Sequence, residues 1–275
     1  MTTLLVTYAT RPHFLNQQRL NRSAIRHGVD HTISWNDRCF KKTSFYEEHR
    51  HILDSPKGSG YWLWKPFIIM DALKNANPLD IIIYCDTDLE IIQDIGPLIQ
   101  LCTEENPILL IANHGNLNKD WTKRDCFILM GCDEERFHEA EQVEAELQVY
   151  RNVERSRKFV QDFLRYCCDE RILTDMPNRC GCCNLDSFLE HRRDQSVLSL
   201  LAEKERITRF RDPTEWGNHF KMNDFRKVGE WLKSPYSETP FTNSNYGTIL
   251  SAMQPFSRPR WRLFIADAAR QLRIR

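Results

Sequence analysis

Residues 79–84 carry Ile81, Ile82, Ile83 and Tyr84 in one apolar run of strand length, and that run limits the fold more than any other feature of the chain. It is far too short to cross a bilayer. It shows no polar alternation, so it fits a strand buried on both faces, the habit of sheets covered by helices on either side. It leads directly into Cys85-Asp86-Thr87-Asp88. The flanking segments alternate in the same sense. Residues 4–8 read as a first buried strand that leaves through Ala9-Thr10-Arg11-Pro12, and residues 14–27 place Phe14, Leu15, Leu20 and Ile25 at helical spacing. Residues 31–35 read as a second strand, Ser55-Pro56-Lys57-Gly58-Ser59-Gly60 as a loop, and residues 107–112 as a further strand. Between them Pro66 suits the first turn of a helix with Phe67, Ile68, Met70 and Leu73 on one side, stopped by Asn77-Pro78. Alternating strands and helices predict an α/β chain with an open sheet and ligands at the carboxyl ends of its strands. Past Glu134 the pattern changes. Residues 139–150, 153–167 and 194–204 read as helices, which predicts a mainly helical second half.

Composition narrows the function. Lys and Arg number 38 and so do Asp and Glu, so there is no global positive field of the kind that general nucleic-acid binding needs. The amino terminus has no basic segment followed by a long apolar one, so no signal peptide is expected. Ten cysteines without an export signal read as reduced thiols in a cytoplasmic protein. Cys167, Cys168, Cys180, Cys182 and Cys183 form a local cluster that could hold zinc, although Cys-x-Cys-Cys is not a usual finger spacing.

Four constellations could carry chemistry. Asp86 and Asp88 sit at i and i+2 at the end of an apolar strand, so both project to one side of the crevice above the sheet. Carboxylate oxygens placed so suit a hard divalent cation, Mn2+ or Mg2+, shared with a diphosphate; the plain alternative is two solvated acids at a loop. Gly58-Ser59-Gly60-Tyr61-Trp62-Leu63-Trp64-Lys65-Pro66 combines a glycine-rich backbone, stacking aromatics and a lysine at a helix start. That suits a nucleoside diphosphate, or else a packed aromatic turn. Asp194-Gln195 opens an apolar helix, where the carboxylate either caps the helix or faces the crevice as a base. In Trp121-Thr122-Lys123-Arg124-Asp125, Lys123 or Arg124 could meet phosphate and Asp125 could bind sugar hydroxyls; a solvated charge cluster is the alternative.

Taken in order, Gly-Tyr-Trp-Leu-Trp-Lys-Pro, Tyr-Cys-Asp-Thr-Asp, Trp-Thr-Lys-Arg-Asp and His-Arg-Arg-Asp-Gln-Ser-Val-Leu-Ser resemble a family of small GT-A glycosyltransferases. These occur in polysaccharide-biosynthesis clusters and among the glycan genes of large chlorella viruses. More distantly the chain looks like the glycogenin and galactosyltransferase group. The likeness covers roughly residues 1–210, and four ordered motifs are more specific than one. It implies a GT-A, Rossmann-like open mixed sheet flanked by helices, as a single domain over residues 1–257. Residues 1–133 would bind the nucleotide sugar and residues 134–257 would face the acceptor. The implied activity moves a hexose or deoxyhexose from a UDP-, GDP- or TDP-sugar, UDP favoured, to a hydroxyl of a glycan or lipid-linked glycan. Thr7 and Tyr8 would lie against the nucleoside, and Tyr61, Trp62, Lys65, Asp86 and Gln195 along the donor. Asp86 and Asp88 would hold the metal, Lys65 and Arg124 would add positive charge, Asp125 would orient the sugar, and Asp194 would be the base of an inverting reaction or a stabiliser beside the anomeric carbon of a retaining one. The glycogenin group also has a late His-x-x-Gly-x-x-Lys that supplies a third ligand. Here Trp216-Gly217-Asn218-His219-Phe220-Lys221 departs from that spacing, which leaves His219 a weak candidate. Rival readings are a Mg-dependent nucleotidyltransferase and a non-catalytic carbohydrate- or lipid-binding protein on the same fold. Residues 258–275 hold six arginines and one aspartate among Trp261, Leu263, Phe264 and Ile265. That is a basic amphipathic tail able to touch the inner face of a membrane.

Overall fold

The computed structural model describes residues 1–218 and 241–252, so the expectations placed on His219 and on the tail at 258–275 lie outside the described residues. Eight strands are present among them. They are β1 (Thr3–Ala9), β2 (His31–Asn36), β3 (Ile81–Cys85), β4 (Glu90–Ile91), β5 (Ile108–Leu117), β6 (Glu141–Arg151), β7 (Arg209–Phe210) and β8 (Leu250–Ser251). Six form one sheet in the order β2-β1-β3-β6-β5-β7, and β4 pairs with β8 in a small second sheet. β1 runs parallel to both β2 and β3, and β7 runs parallel to β5. β6 runs antiparallel to both β3 and β5, so it alone opposes the direction of the other five. This is the open mixed sheet expected. The longer helices are α1 (Phe14–Arg26), α2 (Trp64–Asn75), α3 (Arg124–Leu129), α4 (Glu154–Cys167) and α5 (Asp194–Lys204).

β3 sits mid-sheet with all five of its residues buried, as its composition requires. Alternation sends Ile82 and Tyr84 to one face, where they join Ile68 and Leu73 of α2, Phe159 and Phe163 of α4, and Val197 and Leu201 of α5. Ile81, Ile83 and Cys85 point to the other face, with Leu20 and Ala24 of α1. Each of these fully buried isoleucines contributes roughly 1.5–3 kcal/mol of burial free energy. No described helix is long and apolar enough to cross a membrane.

One expectation is overturned. Residues 139–150 do not form a helix; most of them make the 11-residue strand β6, which lies between β3 and β5. Glu, Ala, Leu and Gln favour helix as isolated residues. Burial between two neighbouring strands overrides that preference. The two-residue spacing of Val143, Ala145, Leu147 and Val149 was the signal for a strand. A bulge interrupts the pairing of this strand with β5. Leu110 of β5 faces Gln148, yet the next residue, Ile111, faces Glu144. As a result Val143 and Ala145 pack on one face of the sheet while Leu147 and Val149 pack on the other. α4 and α5 do form the helices expected of the second half.

The cysteine cluster does not converge. Cys167 is buried in the core, Cys182 and Cys183 are exposed, and all ten cysteines are free. Among the described residues no three His, Cys, Asp or Glu side chains are gathered as a metal cage.

Candidate active site

A cleft of about 170 Å³ opens where β3 ends and β6 bulges, roofed by the turn before α2 and the start of α5; its lining includes Trp62, Lys65, Asp86, Glu144, Glu146, Asp194 and Gln195. Lys65, in the first turn of α2, is its centre. Only 2% of Lys65 is exposed. Its Nζ lies 2.8 Å from Asp194 Oδ2 and 3.7 Å from Asp86 Oδ1. It donates to the Ala145 carbonyl at 3.2 Å and lies 5.2 Å from the centre of the Tyr84 ring. Burial works against the ammonium, but Asp194 and then Asp86 overcome it and push its pKa up. The bulge in β6 is what makes this possible. It turns the Ala145 carbonyl away from the strand ladder and directs Glu144 and Glu146 to the cleft, a common use of bulges beside functional sites.

The carboxylates outnumber the cations here. Asp86 accepts from the Tyr84 hydroxyl and titrates at about 6, raised by burial and by Asp88, with Lys65 pulling it back. Glu144 is raised to about 8 by burial and by Asp212, and Glu146 is pushed well above the usual range by burial and by Glu144. Burial raises Asp194 against the pull of Lys65. Acids crowded until they hold their protons are suited to exchange those protons for a cation. Asp88, two residues past Asp86, is exposed.

The turn before α2 has unusual backbone. Gly58, Ser59, Gly60, Tyr61 and Trp62 all have positive φ, at 56, 52, 97, 52 and 60°. The Tyr61 N–H donates to Lys57 O at 2.7 Å and the Trp62 N–H to Gly58 O at 3.2 Å, closing a left-handed helical turn. Such a turn costs roughly 1–2 kcal/mol at each non-glycine residue, so strain is concentrated beside the cleft. Gly60 is obligatory, because a Cβ there would lie 2.6 Å from the Leu53 Cα. Trp64 fastens the turn by donating to Gly58 O at 3.0 Å. Asp175 braces the whole from outside, holding Lys57 at 2.6 Å and Arg193 at 3.0 Å. Arg193 has a φ of 53° and precedes α5 without capping it through its side chain. Asp194 is therefore the first residue of α5 rather than its cap, and its carboxylate turns to Lys65.

Of the residues singled out in the sequence, Trp62, Lys65, Asp86, Asp194 and Gln195 line this one cleft, and Gln195 Nε2 donates to Gln142 Oε1 at 2.9 Å. Thr7 and Tyr8 are buried behind the cleft. The Thr7 hydroxyl accepts from Gln17 at 2.9 Å, and Tyr8 stacks on Trp64 with ring centres 4.1 Å apart. Tyr61 is half-buried against the core. Arg124 and Asp125 do not line the cleft: Arg124 pairs with Asp133 at 2.8 Å. Asp125 is fully buried and accepts from the Arg179 and Cys180 N–H groups, each at 2.8 Å. Those hydrogen bonds hold its pKa down against burial. Sequence reasoning missed Glu144, Glu146 and Arg192. The first two were hidden by the helical reading of β6. Arg192, whose guanidinium lies 4.2 Å from the centre of the Trp121 ring, stands inside the His-Arg-Arg-Asp-Gln motif, which points to Asp194 rather than to it.

No family model and no curated protein matches the sequence. Solved structures do match its fold. Mouse xyloside xylosyltransferase 1 aligns at a TM-score of 0.51 and 10% identity, over 94% of this chain and 100% of that one. Glycosyltransferase GlyE of Streptococcus pneumoniae aligns at 0.46 and 14% identity, over 97% of this chain and 60% of that one. The bifunctional glycosyltransferase WbbM aligns at 0.43 and 11%, over 73% of this chain and 37% of that one. The chain thus spans well under two thirds of the length of the latter two. Over nearly its whole length, this chain shares the fold of xyloside xylosyltransferase 1, an open mixed sheet flanked by helices.

Proposed function

We propose that the chain is a metal-dependent glycosyltransferase that moves a hexose or deoxyhexose from a nucleoside-diphosphate sugar, UDP favoured, to a hydroxyl of a glycan or lipid-linked glycan. The observation that carries this reading is the buried Lys65–Asp194–Asp86 group at the carboxyl end of β3, on a sheet of this fold. The carboxyl ends of parallel strands are where open α/β sheets bind ligands.

Mn2+ or Mg2+ fits the donor set at Asp86 and Asp88. Both offer hard oxygen ligands, and the acids around them are crowded enough to be held protonated, a repulsion that a cation would relieve. The described residues supply two carboxylates rather than a full cage, which suits an ion whose remaining positions go to diphosphate oxygens and water. Bound there, the cation would stabilise the charge of the departing diphosphate.

Trp62 offers its ring to the donor, and Gln195 offers an amide to sugar hydroxyls. Lys65 fixes the Asp194 carboxylate and keeps it ionised. An ammonium at 2.8 Å holds that carboxylate in place while burial leaves it more basic than usual, so Asp194 can serve as the base of an inverting reaction or as a stabiliser beside the anomeric carbon of a retaining one. Thr7 and Tyr8 back the nucleoside wall, Tyr8 through Trp64. Asp125 acts indirectly, by holding the loop at Arg179 and Cys180, and Arg124, paired with Asp133, takes no part at the cleft. His219 remains a proposed further ligand, and the tail at 258–275 a proposed membrane contact of a cytoplasmic enzyme.

The test is release of nucleoside diphosphate from UDP-, GDP- and TDP-hexoses, with manganese and with chelator, by wild type and Asp194→Asn. Metal-dependent release that Asp194→Asn loses while still binding nucleotide supports the reading. Release of pyrophosphate or of nucleoside monophosphate contradicts it in favour of nucleotidyl chemistry, and no turnover of any donor contradicts it in favour of a binding protein.

A further inference from the structure

The outward face of α1 has no part in the cleft, yet its composition is not that of an ordinary solvated helix. At 100° per residue, Gln17, Leu20, Ser23 and Ala24 fall on one side of α1 and are buried. Phe14, Leu15, Arg19, Arg22, Ile25 and Arg26 fall within an opposite arc of roughly 140°. Leu15 is 78% exposed and Ile25 51%. Six large apolar side chains are exposed among the described residues, and three of them, Phe14, Leu15 and Ile25, share this one face. Scattered single exposures are ordinary, but clustering on one helix marks a surface that meets something.

The charge of the face says what it meets. The first 29 residues contain no Asp or Glu but include Arg11, Arg19, Arg22 and Arg26, in a chain whose net charge is zero. Arg19, Arg22 and Arg26 border a shallow cavity of about 210 Å³ together with Leu15, and Glu90 of β4 is the acid in that lining. Asp94 lies beside Gly28, past the end of the helix. Because β1 and β3 are parallel, the segment that leaves β1 to start α1 emerges at the same sheet edge as Asp86. Phe14 and Leu15 therefore sit on the cleft side of the molecule.

We propose that α1 docks the protein on an anionic lipid bilayer, its arginines at the headgroup phosphates and Leu15 and Ile25 at the acyl boundary. Arginine guanidiniums match phosphate oxygens. Leu15 and Ile25 gain nothing from a soluble polyanion, whereas the headgroup–acyl boundary takes up both kinds of side chain at once. Docked in this way, α1 lies flat on the bilayer with its Phe14 end towards the edge of the sheet that carries Asp86. The inference stands apart from the glycosyltransferase reading, since it is measured with no sugar nucleotide present.

The experiment is co-sedimentation of the full chain with phosphatidylcholine vesicles, with and without phosphatidylglycerol. It compares wild type, Arg22→Gln/Arg26→Gln and Leu15→Ser/Ile25→Ser, all at matched melting temperature. The expected result is binding only to the anionic vesicles, weakened about tenfold or more in each double variant. Absence of wild-type binding overturns the proposal. So does undiminished binding by the arginine variant, which would place the contact elsewhere on the chain. Undiminished binding by Leu15→Ser/Ile25→Ser also overturns it, because a surface that needs only charge fits a soluble polyanion and not a bilayer.

Discussion

Replacing Lys65 by methionine removes the ammonium but keeps most of the side-chain volume, so its effect reports on charge. Lys65 and Asp194 are 2% and 4% exposed and lie 2.8 Å apart. Removing one partner of such a pair leaves the other buried and uncompensated, at a cost of roughly 3–5 kcal/mol. For a chain of this size that is a fall in melting temperature of roughly 6–20 °C. The pH dependence carries a definite sign. Asp194 already titrates above its ordinary 3.8 because burial outweighs Lys65, and without the ammonium it rises further. A carboxyl whose folded pKa exceeds its unfolded value stabilises the fold when protonated, and that contribution is lost as the pH climbs through the folded pKa. The deficit of Lys65→Met should therefore be smaller at an acid pH such as about 5 than at about pH 8. Lys65→Met/Asp194→Asn, in which both charges are gone, should recover most of the stability and stay inactive. Thermal melts of the four proteins at both pH values make the check. If Lys65→Met melts within about 2 °C of wild type near pH 8, the buried pair does not have the energetic role assigned to it.

Three other outcomes follow from the same geometry. Gly60→Ala should destabilise by at least about 1–2 kcal/mol from handedness alone, with the Leu53 clash added, and should weaken nucleotide binding because Trp62 belongs to the same turn; urea melts and a nucleotide titration read the two effects. In chelator, stability should decline from about pH 5 to about pH 9, since Asp86 at about 6, Glu144 at about 8 and the still higher Glu146 favour the fold when protonated. Added manganese should suppress that decline, and a flat profile in chelator would count against crowded carboxylates. Asp125→Asn should cost about 1–3 kcal/mol by weakening the hydrogen bonds from Arg179 and Cys180, while nucleotide affinity in the surviving folded protein is unchanged.

How far the sequence was legible depended on whether a signal was local. The isoleucines of β3, the helical spacing of α1 and the boundaries of α5 declare themselves because each segment's own pattern agrees with its place in the fold. The convergence of Trp62, Lys65, Asp86, Asp194 and Gln195 was readable as motifs, since each lies at the end of an element that points to the same sheet edge. β6 was not, because its helix-favouring residues are held extended by strands distant in sequence, and the short alternation from Val143 to Val149 was its one local sign. Glu144 and Glu146 were lost with it. Asp125 was taken for a ligand-facing acid because the chain gives no hint that residues 179 and 180 fold back onto its carboxylate.

The central claim is that Asp86 and Asp88 form a cation and diphosphate site at the carboxyl end of β3. Calorimetric titration of UDP, GDP and TDP, each with and without manganese, into wild type and Asp88→Ala tests it most directly. Asp88 is exposed, so its loss should leave stability within about 0.5 kcal/mol and the comparison clean. The account predicts manganese-dependent binding of one nucleotide by wild type and its loss in Asp88→Ala. Binding by neither protein, or equal binding by both, would contradict it.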